Sequence, residues 1–316
     1  MSPHHGLAES HSHADNNHDP IVQSNLHAGR ITDIPFPGPD AVAPLSRGSI
    51  TLMRKTDLAS VLDTMYRTFH SPRFLGMDPL CVVRQCRGPE ELEITGLLAS
   101  CLSYGRVARI IASIRFVRER AGEDLAGFTL ATSYRHKLRA LRDFSHRFNR
   151  GDDVALLLEC VKVAYREHGS LEGIISRRPR AETAPFAHIL HAFSSELISW
   201  SGKLKRDLPR SYRYLLPSPR DGSACKRLCM YFRWMVRGDD GVDCGVWNSL
   251  SPAQLVMPVD THIHRIARKL GLTQRNTADW KAAEEITAAL RTYCPHDPVK
   301  FDFSLCRWGM RESSGE

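Results

Sequence analysis

"MPVDTHIHRIARKLGL", residues 257–272, decides how this chain is read, because it holds two incompatible sites. Counted from its histidines, Asp260, His262 and His264 make the D-x-H-x-H pattern of a metal-binding strand end. Counted from its apolar residues, Ile263, Ile266, Ala267 and Leu270 recur at spacings of 3 and 4, the period of a helix. A strand sends residues two apart to one side, whereas on a helix they sit roughly 200° apart and cannot share an ion. Only 52 residues follow His264, too few for the remaining strands of a metal-hydrolase barrel. The helix is preferred, with Asp260 as its N-cap and Gly271 as its stop. Neither a metal nor any other cofactor is expected.

Outward from that segment the helical pattern continues. Upstream, a turn at Asp221-Gly222 leads into a helix predicted from about Ser223 to Val236 and stopped by Gly238. On it Ala224, Leu228, Tyr231 and Met235 share one face, and Lys226, Met230, Arg233 and Arg237 another. Downstream, Thr277 is expected to cap "ADWKAAEEITAALRTY", and "HDPVKFDFSLCRWGM" to open a last helix with Pro298 inside its first turn. Further helices are predicted in "DLASVLDTMYRTFH", in a long stretch from Pro89 that breaks near Tyr104-Gly105, and in "SYRHKLRALRDFSHRF". Two more lie in "DDVALLLECVKVAYREHG" and "APFAHILHAFSSELISW". No alternating run is long enough to build a sheet, so the class is all-α. Residues 1–48, polar, histidine-rich and then proline-punctuated, are read as a disordered tail.

Composition narrows the function classes. The chain has 316 residues and 42% hydrophobic content, enough for a real core, and no apolar run approaches a membrane span. Nine scattered cysteines without a CxxC pair suit a reducing cytoplasm. Lys and Arg total 43 against 35 Asp and Glu, a net charge of +8 that suits a polyanionic partner.

Pro258-Val259-Asp260-Thr261-His262-Ile263, with Arg265 one turn on and then Leu270-Gly271, resembles the catalytic segment of the helix-hairpin-helix (HhH-GPD) DNA glycosylases. "EITGLLASCLS", from Glu93, resembles the early core helix of that superfamily, and "FDFSLCRWG", from Phe301, its closing helix. A closer likeness is to a bacterial family carrying "GSxCKR…RWMVR" and "DTHxxRxxRxLGL", which in turn resembles the archaeal 8-oxoguanine glycosylases. Together the likeness covers roughly residues 50–310, with 258–271 its specific part.

The resemblance implies a two-lobed helical domain over 49–316, one lobe about 90–250 and the other 49–89 plus 251–316, with the active cleft between them. It implies a monomer that excises a damaged base from double-stranded DNA, 8-oxoguanine first among candidates, with no membrane association. Asp260 would stabilise positive charge on the sugar, and Lys226 would be the Schiff-base nucleophile of a coupled abasic-site lyase. Gly222, Ser223, Arg227 and Arg265 would contact DNA. Three departures stand out. The hairpin's paired glycines are reduced to Gly222, and Lys226 lies 34 residues before Asp260, a longer gap than in endonuclease III-like members. The four-cysteine iron–sulfur loop of some members has no counterpart before Glu316.

Plainer roles remain for each residue. Asp260 can be only an N-cap, and Lys226 only a solvated lysine or a phosphate contact. Cys225 and Cys229 read as core thiols, Asp297 and Asp302 as a cap and a helix-surface charge, and Arg106, Arg109, Arg115 and Arg118 as a solvated face. Trp234, Trp247 and Tyr104 are candidates to line a base pocket. A monofunctional glycosylase using Asp260 alone, and a non-catalytic nucleic-acid-binding protein on the same scaffold, stay open.

Overall fold

The computed structural model describes residues 55–178 and 183–314. They belong to one compact unit, Phe36–Glu316. The stretch read as a tail, 1–48, lies outside the described residues.

The described chain is almost entirely helical. In order, the helices are α1 (Lys55–Phe69), α2 (Leu80–Val83), α3 (Pro89–Cys101), α4 (Val107–Arg120), α5 (Leu125–Ala131), α6 (Tyr134–Ala140) and α7 (Gly151–His168). Then come α8 (Gly173–Ser176), α9 (Phe186–Leu204), α10 (Arg210–Leu215), α11 (Lys226–Val236), α12 (Thr261–Lys269), α13 (Trp280–Arg291) and α14 (Asp302–Ser314). No helix among the described residues is long and apolar enough to cross a membrane.

Helix α11 is the axis of the molecule. It lies along α3, and every residue from Arg227 to Val236 is buried, so both faces read from the sequence, the one with Arg233 and Arg237 included, lie in the core. Two of its charged positions, Arg233 and Arg237, survive burial because acids meet them. Arg233 donates to Asp243 Oδ1 through Nε and Nη2 at 3.1 and 2.9 Å, and to Asp302 through Nη1. Arg237 donates to Asp243 and, at 2.9 Å, to Asp297. Two cations on one helix therefore fasten it to the loop that follows and to the α14 region. Helix α14 packs against both α1 and α12.

Four local readings are corrected. "DFSHRF" is no continuation of a helix: α6 stops at Ala140, and β1 (Ser145–His146) pairs antiparallel with β2 (Asn149–Arg150). Leu138, Leu141 and Phe144 keep a helical spacing up to the turn, which hides it. Side chains decide the hairpin: His146 bonds with Ser113 Oγ at 2.9 Å, and Asn149 donates to Asp153 at 2.9 Å. Helix α11 begins at Lys226, three residues later than predicted, because Cys225 sits in the left-handed region at φ +50°. Asp279, not Thr277, caps α13, accepting from Ala282 N at 2.8 Å, while Thr277 donates to the Asp279 carboxylate. Helix α14 starts at Asp302, leaving Pro298 in the turns before it.

Candidate active site

Asp260 is positioned by its own helix. Its Oδ1 accepts the N–H groups of His262 and Ile263, both at 2.9 Å, which occupies one carboxylate oxygen as the cap of α12. The other oxygen, Oδ2, faces Lys226 Nζ at 3.9 Å. One side chain thus does both jobs that the sequence offered as alternatives: it caps, and it presents a carboxylate. Both partners are partly open to solvent, Lys226 at 29% and Asp260 at 35%.

Lys226 is brought there by an unusual entry into α11. Gly222 turns the chain at φ +74°, with nothing within 4 Å of where a Cβ would stand. Ser223 pairs with Asp279 in an isolated bridge, and Trp280 N donates to Gly222 O at 3.3 Å. Ser223 Oγ then accepts Cys225 N at 3.1 Å, and the left-handed Cys225 swings the chain into the helix. The segment that resembles a catalytic hairpin is therefore docked on the start of α13.

Lys226 and Asp260 open onto a cavity of ≈ 460 Å³. Its apolar wall is built by Met77, Pro79, Val107, Ile110, Met230 and Met310, and Tyr104 and Tyr214 stand at one side. Asp78, Ser103 and His262 add polar groups. Asp78 is already matched: it caps Leu80 N at 3.0 Å and pairs with Arg307. Behind the pair lies Asp302, a buried carboxyl bonded to Arg233. Burial pushes its pKa up to about 6; Arg233 and Lys226 pull against that rise, and the Asp260 charge adds to it.

The other expected site residues divide. Gly222 and Arg265 are exposed and Ser223 half-buried, and none of the three lines the cavity. Arg227, expected to reach DNA, is turned inward and buried. It donates to Cys101 O at 2.8 Å and to Tyr214 O, with its guanidinium 4.1 Å from the centre of the Tyr214 ring. Those bonds make it the fastening of the aromatic wall. Of the three aromatics considered for a pocket, Tyr104 lines the cavity, whereas Trp234 and Trp247 belong to the core. Arg118, read as solvated, is buried and pairs with Glu91 at 3.6 Å.

Asp302, expected as a helix-surface charge, is instead buried behind the pair, and the sequence does not mark Asp78 or Tyr214 as site residues. For Asp302 a signal exists: Val299, Leu305 and Cys306 stand three or four positions away, so the aspartate shares the apolar face of its helix. For Tyr214 and Asp78 no spacing in the chain gives it away.

The histidines of the opening segment part company as a helix requires. His262 is exposed at the cavity, and His264 is buried, its Nε2 bonding with Arg275 O at 3.1 Å. Among the described residues one group has metal-ligand geometry: His70, Asp240 and Asp243. Its carboxylates are already met by cations, Asp243 by Arg233 at 2.9 Å and by Arg237, and Asp240 by Arg237 at 3.2 Å. A metal ion would have to displace two buried guanidinium groups.

Neither the curated proteins nor the solved structures contain a match to this chain. A family model described as "Protein of unknown function (DUF2400)" matches residues 78–311. That span takes in Asp78, Lys226, Asp260 and Asp302, the polar groups in and behind the cleft. Because the match covers about three quarters of the sequence, the chain belongs to the DUF2400 family.

Proposed function

We propose that this protein is a DNA base-excision glycosylase of helix-hairpin-helix type with a coupled abasic-site lyase activity, working as a monomer in the cytoplasm. The observation that carries the reading is the approach of Lys226 Nζ to Asp260 Oδ2, 3.9 Å, at a cavity walled by apolar and aromatic side chains. These residues lie 34 positions apart in the chain, one in the first turn of α11 and the other capping α12.

The chemistry follows from the charges. As the base–sugar bond breaks, its electron pair leaves with the base and positive charge grows on the sugar ring. A carboxylate held in place by two backbone N–H groups stabilises that charge without reorganising. Lys226, as the free amine, forms a bond to the anomeric carbon, and the departing base takes the proton the amine sheds. Ring opening passes the remaining amine proton to the ring oxygen and leaves a Schiff base; loss of the C2′ proton to water expels the 3′ phosphate, and a second water then hydrolyses the imine and frees the lysine. The target base must leave the stack to reach the site, and the apolar wall receives it. Double-stranded DNA carrying 8-oxoguanine is the first substrate to try, on the strength of the sequence resemblance.

Borohydride trapping on duplexes carrying 8-oxoguanine or an abasic site tests this. Wild type is expected to give a covalent adduct that Lys226→Gln abolishes, and Asp260→Asn is expected to slow base release at least 100-fold, on the order of a lost charge-stabilising group. Base release without any adduct would select a glycosylase that uses water and Asp260 alone. Salt-dependent DNA binding with neither adduct nor release would select a binding protein on this scaffold.

A further inference from the structure

A second recess, of ≈ 660 Å³, shares no lining residue with the cleft. Its size falls within the range of small-molecule sites, and three elements wall it. Helix α9 contributes His188, His191, Ser195, Ser199 and Lys203, spaced 3, 4, 4 and 4 and therefore aligned on one face. Arg178 enters from just beyond α8, and Arg220 from the turn Pro219–Asp221 that precedes α11.

The donors are held in place. His191 Nδ1 bonds with Ser218 Oγ at 2.9 Å, and the same hydroxyl oxygen accepts Arg220 N at 3.2 Å. The histidine is thus tied to the turn that carries Arg220. Ser195 Oγ, one helical turn on, bonds with the same ring nitrogen at 3.1 Å. Arg178 donates from Nε to Ile174 O at 3.0 Å and from Nη2 to Glu196. Glu196 is the one acid among the described lining residues, and it is already engaged, by Arg178 and by His168 Nε2 at 2.8 Å.

Charge says what the recess takes. With the histidines neutral, Arg178, Lys203 and Arg220 face Glu196 alone, which leaves two positive charges in excess. Among the described residues, no hydrogen bond or ion pair engages the side chains of His188, Lys203 or Arg220. Burial, then the neighbouring Arg220, His188 and Arg178 charges hold the His191 ring below the usual histidine range, against the opposing pull of Asp221. An anion would relieve that crowding of cations. A metal ion would add to it, and neither histidine belongs to the group with metal-ligand geometry. A phosphodiester brings a single charge and two free oxygens. A terminal phosphate brings up to two charges and three oxygens, which guanidinium, imidazole and hydroxyl donors on different elements can reach from several sides.

We propose that the α9 recess binds a dianionic terminal phosphate, borne by a nucleotide or by the 5′ end of a strand, with Arg178, His191, Ser195 and Arg220 as donors. The proposal goes beyond the base-excision reading and does not rest on it.

Calorimetric titration of the full chain tests it, with four probes: inorganic phosphate, a nucleoside monophosphate, and a short single-stranded oligonucleotide ending in a 5′ phosphate or a 5′ hydroxyl. Wild type is expected to bind inorganic phosphate, and Arg220→Ala to weaken that binding at least 10-fold, on the order of one charge-assisted hydrogen bond. Arg220→Lys, which keeps the charge but not the fork, is expected to fall between the two. Arg220 is exposed, so these variants keep the fold, which circular dichroism verifies. Arg206→Ala, at an exposed arginine outside the recess, is expected to bind as wild type. The tighter of the nucleoside monophosphate and the 5′-phosphorylated oligonucleotide identifies the bearer. No phosphate binding, or an equal loss in Arg206→Ala, would overturn the proposal. So would equal affinity for the two oligonucleotides, which would make the recess a contact for nucleic-acid backbone. Borohydride trapping at Lys226 is a separate readout, so the phosphate site and the lyase reading can each fail alone.

Discussion

At the scale of single residues, the divided carboxylate of Asp260 decides what each substitution reports. Asparagine keeps the capping oxygen and removes the charge, whereas alanine removes both. Asp260→Ala is therefore expected to lower stability by about 1 kcal/mol while Asp260→Asn stays close to wild type, measured as denaturant midpoints. If the two lose equal stability, the bonds to His262 and Ile263 are not what Asp260 contributes. Asp302 carries a different signature. Its carboxyl holds a proton up to about pH 6, against an ordinary value of 3.8, so between these limits the native state binds more protons than the unfolded chain. Stability from this group is thus present in full below about pH 4 and lost as the pH rises to about 6. A shift of this size corresponds to about 3 kcal/mol across the window. Asp302→Asn is expected to remove that slope, seen as the pH dependence of the urea midpoint. A slope unchanged between wild type and variant would assign it to another group.

At the scale of elements, two close approaches fit α11 and α12 into place. A Cβ on Gly96 of α3 would stand 2.9 Å from Met235 Cε and 3.2 Å from the Tyr231 ring, so glycine lets α3 lie close on α11. A Cβ on Gly309 of α14 would stand 2.2 Å from Ile266 Cδ1 of α12. Ile266 is fully buried and has little room to turn aside. Gly309→Ala is expected to cost about 1–3 kcal/mol as overpacking and to shift α12, and Asp260 with it, away from Lys226. A thermal-melting comparison checks the first effect, and trapping efficiency on an abasic duplex checks the second. The longer helices were legible because apolar spacing survives in sequence; the short ones, α2, α5, α8 and α10, and most helix ends were not. Thr277 and Asp279 are both good caps, and only packing at Ser223 and Arg275 selects the second.

At the scale of the whole molecule, the excess of eight positive charges sets the long-range behaviour. Binding to B-DNA is expected to weaken steeply with salt, each neutralised phosphate adding about 0.9 to the slope of log K against log salt. Arg106→Ala should lower that slope by about 1, whereas a salt-insensitive affinity would count against phosphate recognition altogether. The same surplus is absent from the interior, where Arg233 and Arg237 are matched by Asp243, Asp302 and Asp297. Basic residues are thus used in two ways, to fasten α11 inside and to face solvent beside the cleft. A count of charges does not separate the two.

By itself the sequence determined the helical class and the capping of α12 by Asp260, and its resemblance to the helix-hairpin-helix glycosylases pointed to Lys226 and Asp260 as a pair. Each of these depends on local spacing or on short motifs, and local spacing is written along the chain. Only the tertiary structure decided that the two side chains stand 3.9 Å apart, that Arg227 turns inward and that Asp302 is buried behind them. These depend on which helix lies against which. That is settled by the summed packing of surfaces distant in sequence, a quantity no single stretch of residues carries.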